Sequence, residues 1–509
     1  MTAKPPNVLI VMADQMAPAF LPVYGHGLTR APNMQALART GVVFDSAYCN
    51  SPLCAPSRAS FMSGLMPSRT RVYDNAAEFA AAVPTFAHLM RLQGYQTILS
   101  GKMHFCGPDQ LHGFEQRLTT DIYPADFNWT PDWDRPEDRP SWYHNMGSVR
   151  EAGVCVRTNQ LDFDDEAAFM AERAIFDIAR AKDRRPFLLV ASFSHPHDPF
   201  AVQQRYWDLY RDSDIDMPGL AIAPETLDPH SRRLRHVCAI DAEPVTEAQV
   251  RAARHAYYGA IAYVDDLVGR LMAALRAAGF ADDTIVMLTS DHGEMLGERG
   301  LWYKMSFFEG ACRVPLVIAS PGRFPPRRVA ASVSLVDLMP TLIDISGANS
   351  QSLGFALDGR SLASHLRGAT GHDEAIGEYL AEGAIAPIVM IRRGAFKFIR
   401  SPVDPDQLYD LGRDPGERDN LAGKAESAAQ VDAFRAEVAK RWDLAALDAE
   451  VRASQRRRRL VDAALSQGAV RAWDFQPFRD ASRQYIRNSM DLEDIEAMAR
   501  FPPVAGGSK

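Results

Sequence analysis

Short apolar runs alternate along this chain with stretches of helical periodicity, and that alternation constrains the fold more than any other feature. The runs fall at 8–13, 97–100, 187–193, 285–289 and 315–319. Between them, helical patterns occupy 33–40, 165–181, 247–278 and 335–346, and three of these are closed by Gly41, Gly279 and Gly347. A glycine just past the last periodic residue is a helix stop signal. Strands alternating with helices predict an α/β fold: a large, mostly parallel mixed sheet with helices on both faces.

In such sheets ligands bind beyond the carboxyl ends of the strands. Asp14 follows the first run directly, residues 100–104 follow the second, 195–198 the third, and Asp291 with His292 the fourth. The pattern therefore predicts one crevice that collects polar groups from separate strand ends. After about residue 375 the texture changes. Residues 388–392 and 396–400 flank Gly394 like a hairpin, and helical patterns run from about 425 to 467. The expected organisation is a catalytic domain over 1–375, a smaller C-terminal α+β domain over 376–450, and a C-terminal helix and tail over 451–509 that packs on the body or on a neighbouring subunit.

Composition narrows the partners. The net charge of −8 argues against a nucleic-acid or anionic-membrane surface. One basic run, Arg456 to Arg459, interrupts the acidity and reads as a solvated helix face or a subunit contact. The apolar run at 8–13 is too short for a signal segment, and no run approaches the roughly 18 residues of a membrane span. Six scattered cysteines without a Cys-x-x-Cys pair suit a reducing compartment, so the expected location is the cytoplasm.

Particular residue sets carry chemistry, although each spacing alone also allows an inert reading. Asp14, Asp291 and His292 make an oxygen-rich set able to hold a hard cation, or else a helix cap beside a surface histidine. Gly293, Gly297 and Gly300 demand a tight loop there, where active sites gather. Pro56 suits the first turn of a helix, which puts Cys54 at its N-terminus and Arg58 one turn on; the pair either grips an oxyanion or simply packs. Lys102 and His104 share a face if the backbone there is extended. His195 and His197 straddle a proline in SHPHDPF, and that loop could present either ring. Lys304 lies in KMSFFEGACRVP, where a surface lysine is the plain alternative.

Taken together, these stretches resemble the sulfatases of the alkaline phosphatase superfamily. Cys54-Ala55-Pro56-Ser57-Arg58 matches the Cys-x-Pro-x-Arg signature of the type I enzymes, whose cysteine is oxidised to formylglycine. The likeness extends in order through Asp14, 101–104, Pro196-His197-x-Pro199, 290–293, and Lys304 ahead of Glu309-Gly310 and Arg313-Val314-Pro315. The stretches 68–79, 101–133, 141–149 and 473–490 resemble the choline sulfatase branch, which extends the likeness over nearly the whole chain. The chain departs from common arylsulfatases at Gln15, where many have a second aspartate, and at Asp291-His292, where many have Asp-Asn. Choline sulfatases and phosphonate monoester hydrolases tolerate both changes.

The resemblance implies hydrolysis of choline O-sulfate to choline and sulfate. It implies a divalent metal, calcium by family expectation with manganese open, held by Asp14, Asp291, His292 and the modified Cys54. A formylglycine hydrate would attack sulfur while Arg58, Lys102 and Lys304 spread charge on the sulfuryl oxygens. His197, with Lys304 beside it, would protonate the leaving alkoxide, and His104 would take the proton that lets sulfate depart. Asn75, His144 and Asn145 would line the sulfate side. Trp129 would give the choline cation an aromatic face and Glu382 a counter-charge. The implied partners are choline O-sulfate, a formylglycine-generating enzyme and further copies of the chain, as a dimer or tetramer. Two rivals stand beside this: a phosphonate monoester hydrolase or phosphodiesterase, and a non-catalytic protein that binds choline compounds.

Overall fold

A computed structural model describes residues 5–349, 353–470, 472–478 and 490–502 of the 509-residue chain. Residues 479–489, which form most of the 473–490 stretch, lie outside the described residues. The central sheet comprises β1 (Asn7–Ala13), β2 (Gly41–Tyr48), β3 (Gln96–Gly101), β4 (Gln116–Arg117), β6 (Phe187–Phe193), β8 (Thr284–Ser290), β9 (Arg313–Ala319) and β10 (Arg327–Ser334). Their order across the sheet is β10-β2-β9-β8-β1-β6-β3-β4. Only β9 runs antiparallel to both its neighbours, β2 and β8. A separate parallel pair joins β5 (Gly153–Cys155) to β7 (Ala201–Gln203).

The middle strands are buried along their whole length because helices cover both faces. Every residue of β1, β6 and β8 is buried, which is why each reads as a continuous apolar run rather than an alternating one. The long helix Glu247–Ala277 opens with a capping box in which Thr246 and Gln249 exchange hydrogen bonds, and it packs against the helix Asn159–Arg180. The helix expected at 165–181 thus begins six residues earlier, where Thr158 caps it by accepting from Leu161 N–H.

The C-terminal part forms a four-stranded antiparallel sheet, β11 (Glu374–Tyr379), β12 (Ile388–Arg393), β13 (Phe396–Arg400) and β14 (Gln407–Asp410). Alternation along β12 splits its side chains between two cores. Ile388 and Met390 join the main core, whereas Val389 and Ile391 pack with Phe398, Leu408, Val431, Phe434 and Val438 beneath the helix Ala428–Arg441. The expected boundary at 375/376 falls inside β11. That strand docks directly on the body of the larger sheet: Glu378 N–H donates to the Asn50 carbonyl at 2.8 Å, and Asn50 Nδ2 donates to the Ile376 carbonyl at 2.8 Å.

The basic run at 456–459 is only in part the solvated face expected: Arg456 and Arg457 are exposed, but Arg458 is not. It lies on the helix Leu444–Leu465, where Arg458 is buried on Asp74, Arg456 pairs with Asp134 at 2.6 Å, and Arg459 pairs with Asp132. The helix therefore lies on the body of its own chain, and the start of the tail does too: Trp473 packs edge-on to Phe127, with ring centroids 5.1 Å apart. Among the described residues no helix is long and apolar enough to cross a membrane.

Candidate active site

The carboxyl ends of β1, β3, β6 and β8 do meet in one buried crevice, because those four strands are parallel neighbours. β1 delivers Asp14 and Gln15, β3 delivers Lys102, β8 delivers Asp291 and His292, and the loop after β6 delivers His197. Opposite them the helix Cys54–Ser63 points its first turn into the crevice, with all ten residues buried. Asn75 holds that turn in place: its Oδ1 accepts the Ala55 N–H at 2.9 Å.

Asp14, Cys54, Asp291 and His292 each offer one ligand atom, and these atoms lie within 4.8 Å of one another. The imidazole is set up as a ligand. Its Nδ1 lies 3.0 Å from the Gly293 carbonyl and so carries the hydrogen, leaving the Nε2 lone pair toward Cys54 Sγ at 3.1 Å. Burial, countered in part by Asp291, brings the His292 pKa down to about 4, so the ring is neutral near pH 7. Two carboxylates and one neutral imidazole fit a hard or borderline divalent cation.

The Arg58 guanidinium is buried among the strand ends. Its Nε donates to Asp291 at 2.7 Å, one terminal nitrogen to Asp14 at 3.1 Å, and the other to the Lys102 carbonyl at 2.6 Å and Ser192 Oγ at 2.9 Å. Two of its nitrogens fix the two carboxylates, and the third ties the Lys102 carbonyl to Ser192. Lys102 also pairs with Asp14, lies 3.7 Å from Cys54 Sγ, and sits 4.1 Å above the Tyr123 ring. Burial alone would raise the Asp14 carboxyl, but Lys102, His197, Arg58 and His292 hold it well below the usual carboxylate range. Burial and Asp14 push the Cys54 thiol up to about 12.

Lys102 and His104 reach the crevice by a turn rather than along extended backbone, because His104 adopts a left-handed φ of 55°. Asp121 holds that turn by accepting the N–H groups of Met103 and His104 at 3.0 and 2.9 Å. Both nitrogens of the buried His104 ring lack a hydrogen-bond partner among the described residues, and burial together with Lys102 brings its pKa down to about 3. Of the two histidines in SHPHDPF, His197 faces the site. His195 turns away and is held by Asp164, 2.7 Å from its Nδ1. His197 Nδ1 donates to the Asp198 carbonyl at 2.7 Å, which leaves Nε2 to accept from Lys304 Nζ at 2.7 Å. Lys304 also donates to Gln15 Oε1 at 2.6 Å.

An aromatic wall rises beside these groups. Trp129 lies edge-on to His104 at 6.0 Å, 5.3 Å from Tyr123, and stacked on Trp142 at 6.4 Å. Tyr143 meets Trp142 edge-on at 4.4 Å. Glu382 is buried, one of its carboxylate oxygens has no partner among the described residues, and burial lifts its pKa to about 7. His144 stacks on Tyr303 at 4.4 Å, with its Nδ1 3.7 Å from Asp198. Asn145 meets the site through its backbone, whose carbonyl accepts from the Tyr303 hydroxyl at 2.5 Å, and not through its side chain. It is exposed, and its side-chain oxygen accepts the Gly147 N–H at 2.8 Å.

Sequence reasoning passed over Tyr123, Asp121 and Asp164, and gave Gln15 no role. Only Gln15 had a visible signal, its place beside Asp14 at a strand end. Asp121 and Tyr123 act from a loop and Asp164 from the helix Asn159–Arg180, positions with no strand-end signal.

The sulfatase family model matches residues 6–348. The C-terminal model of choline sulfatase matches 449–501, and the C-terminal model of N-sulphoglucosamine sulphohydrolase matches 297–442. A choline-sulfatase of Rhizobium meliloti (strain 1021) is 48% identical, covering 99% of each chain. An arylsulfatase of Clostridium perfringens is 27% identical over 84% of this chain and 93% of its own. Among solved structures, the phosphonate monoester hydrolase of Agrobacterium radiobacter is similar with a TM-score of 0.69 and 28% identity, covering 88% of this chain and 96% of that one.

Proposed function

The chain belongs to the sulfatase family, and from that premise we propose that it hydrolyses choline O-sulfate to choline and sulfate. The observation that carries the reading is the buried Glu382 carboxylate, one oxygen of which has no partner among the described residues and whose charge acts on Tyr143, from which an aromatic wall continues through Trp142 to Trp129. An aromatic face and a counter-charge are what a trimethylammonium group requires, and cation–π attraction contributes about 0.5–2 kcal/mol. The likeness to the Rhizobium meliloti enzyme over 99% of both chains supports the same substrate.

Asp14, Asp291, His292 and the side chain at 54 would hold a divalent cation, calcium or manganese, and such an ion would supply Lewis-acid stabilisation of charge on the sulfuryl oxygens. Conversion of Cys54 to formylglycine would supply an oxygen nucleophile. The thiol, held at about 12, remains protonated near pH 7 and is a poor one. Cys54 is 1% exposed, so the formylglycine-generating enzyme acts on the chain before this helix packs.

The chain's own residues divide the remaining work. Arg58 fixes Asp14 and Asp291 as a rigid pair, and Lys102 places positive charge beside position 54. Such preorganised charge is usually the largest catalytic contribution. Lys304 and His197 share the proton that the departing alkoxide takes, and Gln15 keeps the ammonium in line. His104, neutral and with no hydrogen-bond partner for its ring among the described residues, is free to accept a proton. Asn75 orients the nucleophile's helix, and His144 contributes beside His197, with ring centroids 5.8 Å apart. Exposed Leu460, Val461 and Leu465 on the C-terminal helix support assembly into a homo-oligomer.

The test is release of sulfate from choline O-sulfate by the modified protein. The similarity to the Agrobacterium radiobacter enzyme favours a second, weaker activity on phosphonate monoesters, which an assay on a phenyl phosphonate ester checks in parallel.

A further inference from the structure

Arg458 lies within a run of arginines on the C-terminal helix, yet its guanidinium is buried between two loops of the active site. It donates to both oxygens of Asp74, at 2.8 and 2.6 Å, and to Thr130 Oγ1 at 2.9 Å. Asp74 pins its own turn by accepting the Ala76 N–H at 3.0 Å. The next residue, Asn75, holds the first turn of the Cys54 helix. On the other side, Thr130 follows Trp129 and ties back to the Phe127 carbonyl at 2.7 Å. One planar, bidentate group thus joins the loop behind the nucleophile position to the loop bearing the aromatic face.

The same helix face continues the connection at helical spacing. Gln455 Oε1 accepts the Trp133 N–H at 2.9 Å. Arg452 donates to the carbonyls of Trp133 and Ile385, each at 2.7 Å, and the Trp133 indole donates to the Ala381 carbonyl at 3.0 Å. The Ala381–Ile385 contacts bracket Glu382. The helix therefore touches the supports of Cys54, Trp129 and Glu382 without entering the crevice.

We propose that this helix face determines substrate selectivity, with Arg458 as the positioning residue that sets the span between the sulfate end of the site and the cation end. The inference rests on the choline sulfate reading. A small displacement of Trp129 or Glu382 relative to position 54 affects a substrate that must reach both ends. It spares an aryl sulfate that uses only the sulfate end. Lysine at 458 would keep the charge opposite Asp74 but could not span both carboxylate oxygens and Thr130 with one planar group.

The experiment compares kcat and KM for choline O-sulfate and 4-nitrophenyl sulfate in the full-length, modified wild type, Arg458→Lys and Gln455→Met, with thermal melts to confirm folding. Expected is a rise of about tenfold or more in KM for choline O-sulfate in Arg458→Lys, with the aryl ester changed less than about twofold, and a smaller shift of the same kind in Gln455→Met. Arg458→Lys that restores wild-type kinetics on both esters overturns the inference, since charge alone would then suffice. So do variants in which both esters lose equally. If Arg458→Lys fails to fold, Gln455→Met decides. A wild type that shows no preference for choline O-sulfate overturns this inference together with the choline reading, whereas a preference kept by the variants overturns this inference alone.

Discussion

Lys304 Nζ lies 2.7 Å from His197 Nε2, and the opposite ring nitrogen of His197 is committed to the Asp198 carbonyl. The imidazole is thus a neutral acceptor. Burial and Lys304 keep its pKa well below the usual histidine value. Burial would lower the Lys304 pKa, but Cys54, Asp198, Asp14 and Glu294 outweigh it and raise it. In the resting pair the proton therefore rests on the lysine.

This pairing predicts a dependence on the leaving group. Lys304→Ala and His197→Ala should each cost about 10²–10⁴-fold in kcat on choline O-sulfate, whose alkoxide needs a proton. On 4-nitrophenyl sulfate, whose leaving group departs unaided, the loss should be at least tenfold smaller. Steady-state kinetics on both esters check this, and equal losses would remove proton donation from the account.

Glu382 predicts a pH dependence of binding. Its carboxyl, lifted by burial to about 7, is neutral below that pH and charged above it. A trimethylammonium group prefers the charged form, so KM for choline O-sulfate should fall as pH rises through about 7. Glu382→Gln should raise KM about tenfold and flatten that limb, while leaving kinetics on an aryl sulfate nearly unchanged. A KM profile measured from pH 5.5 to 8.5 for both proteins checks it.

Much of this site was legible in the sequence because four parallel strands end in polar residues, and buried parallel strands read as plain apolar runs. The edge of the sheet was not. β10 begins with Arg327 and Arg328 and is buried only over its last three residues, so it has no apolar signature. β2 carries Asp45 and Ser46 at a bulge between Phe44 and Ala47. Long-range partners were equally hidden. A run of arginines reads as solvated until Asp74, 384 residues away in the chain, is folded against Arg458. Asn145 shows the converse: it resembles a site residue in sequence, yet its side chain is engaged by the Gly147 N–H in its own loop.

The donor set also predicts a measurable linkage between metal and fold. A cation that binds only the folded chain stabilises it by about 2.7 kcal/mol at a hundred times its dissociation constant. Calcium or manganese added to chelator-treated protein should therefore raise the melting temperature. The same addition to His292→Ala, which lacks one of the four grouped ligand atoms, should raise it far less. Calorimetry reads this without any assay of activity.

The most direct test joins the chemistry at position 54 to the substrate. Protein produced with a formylglycine-generating enzyme is digested, and the peptide spanning 51–60 is weighed. The same preparation, metal-loaded, is assayed for sulfate released from choline O-sulfate beside Cys54→Ala. The account predicts that turnover rises in proportion to the converted fraction and is lost in Cys54→Ala. Fully converted, metal-loaded protein that leaves choline O-sulfate intact, or Cys54→Ala protein that cleaves it undiminished, would contradict it.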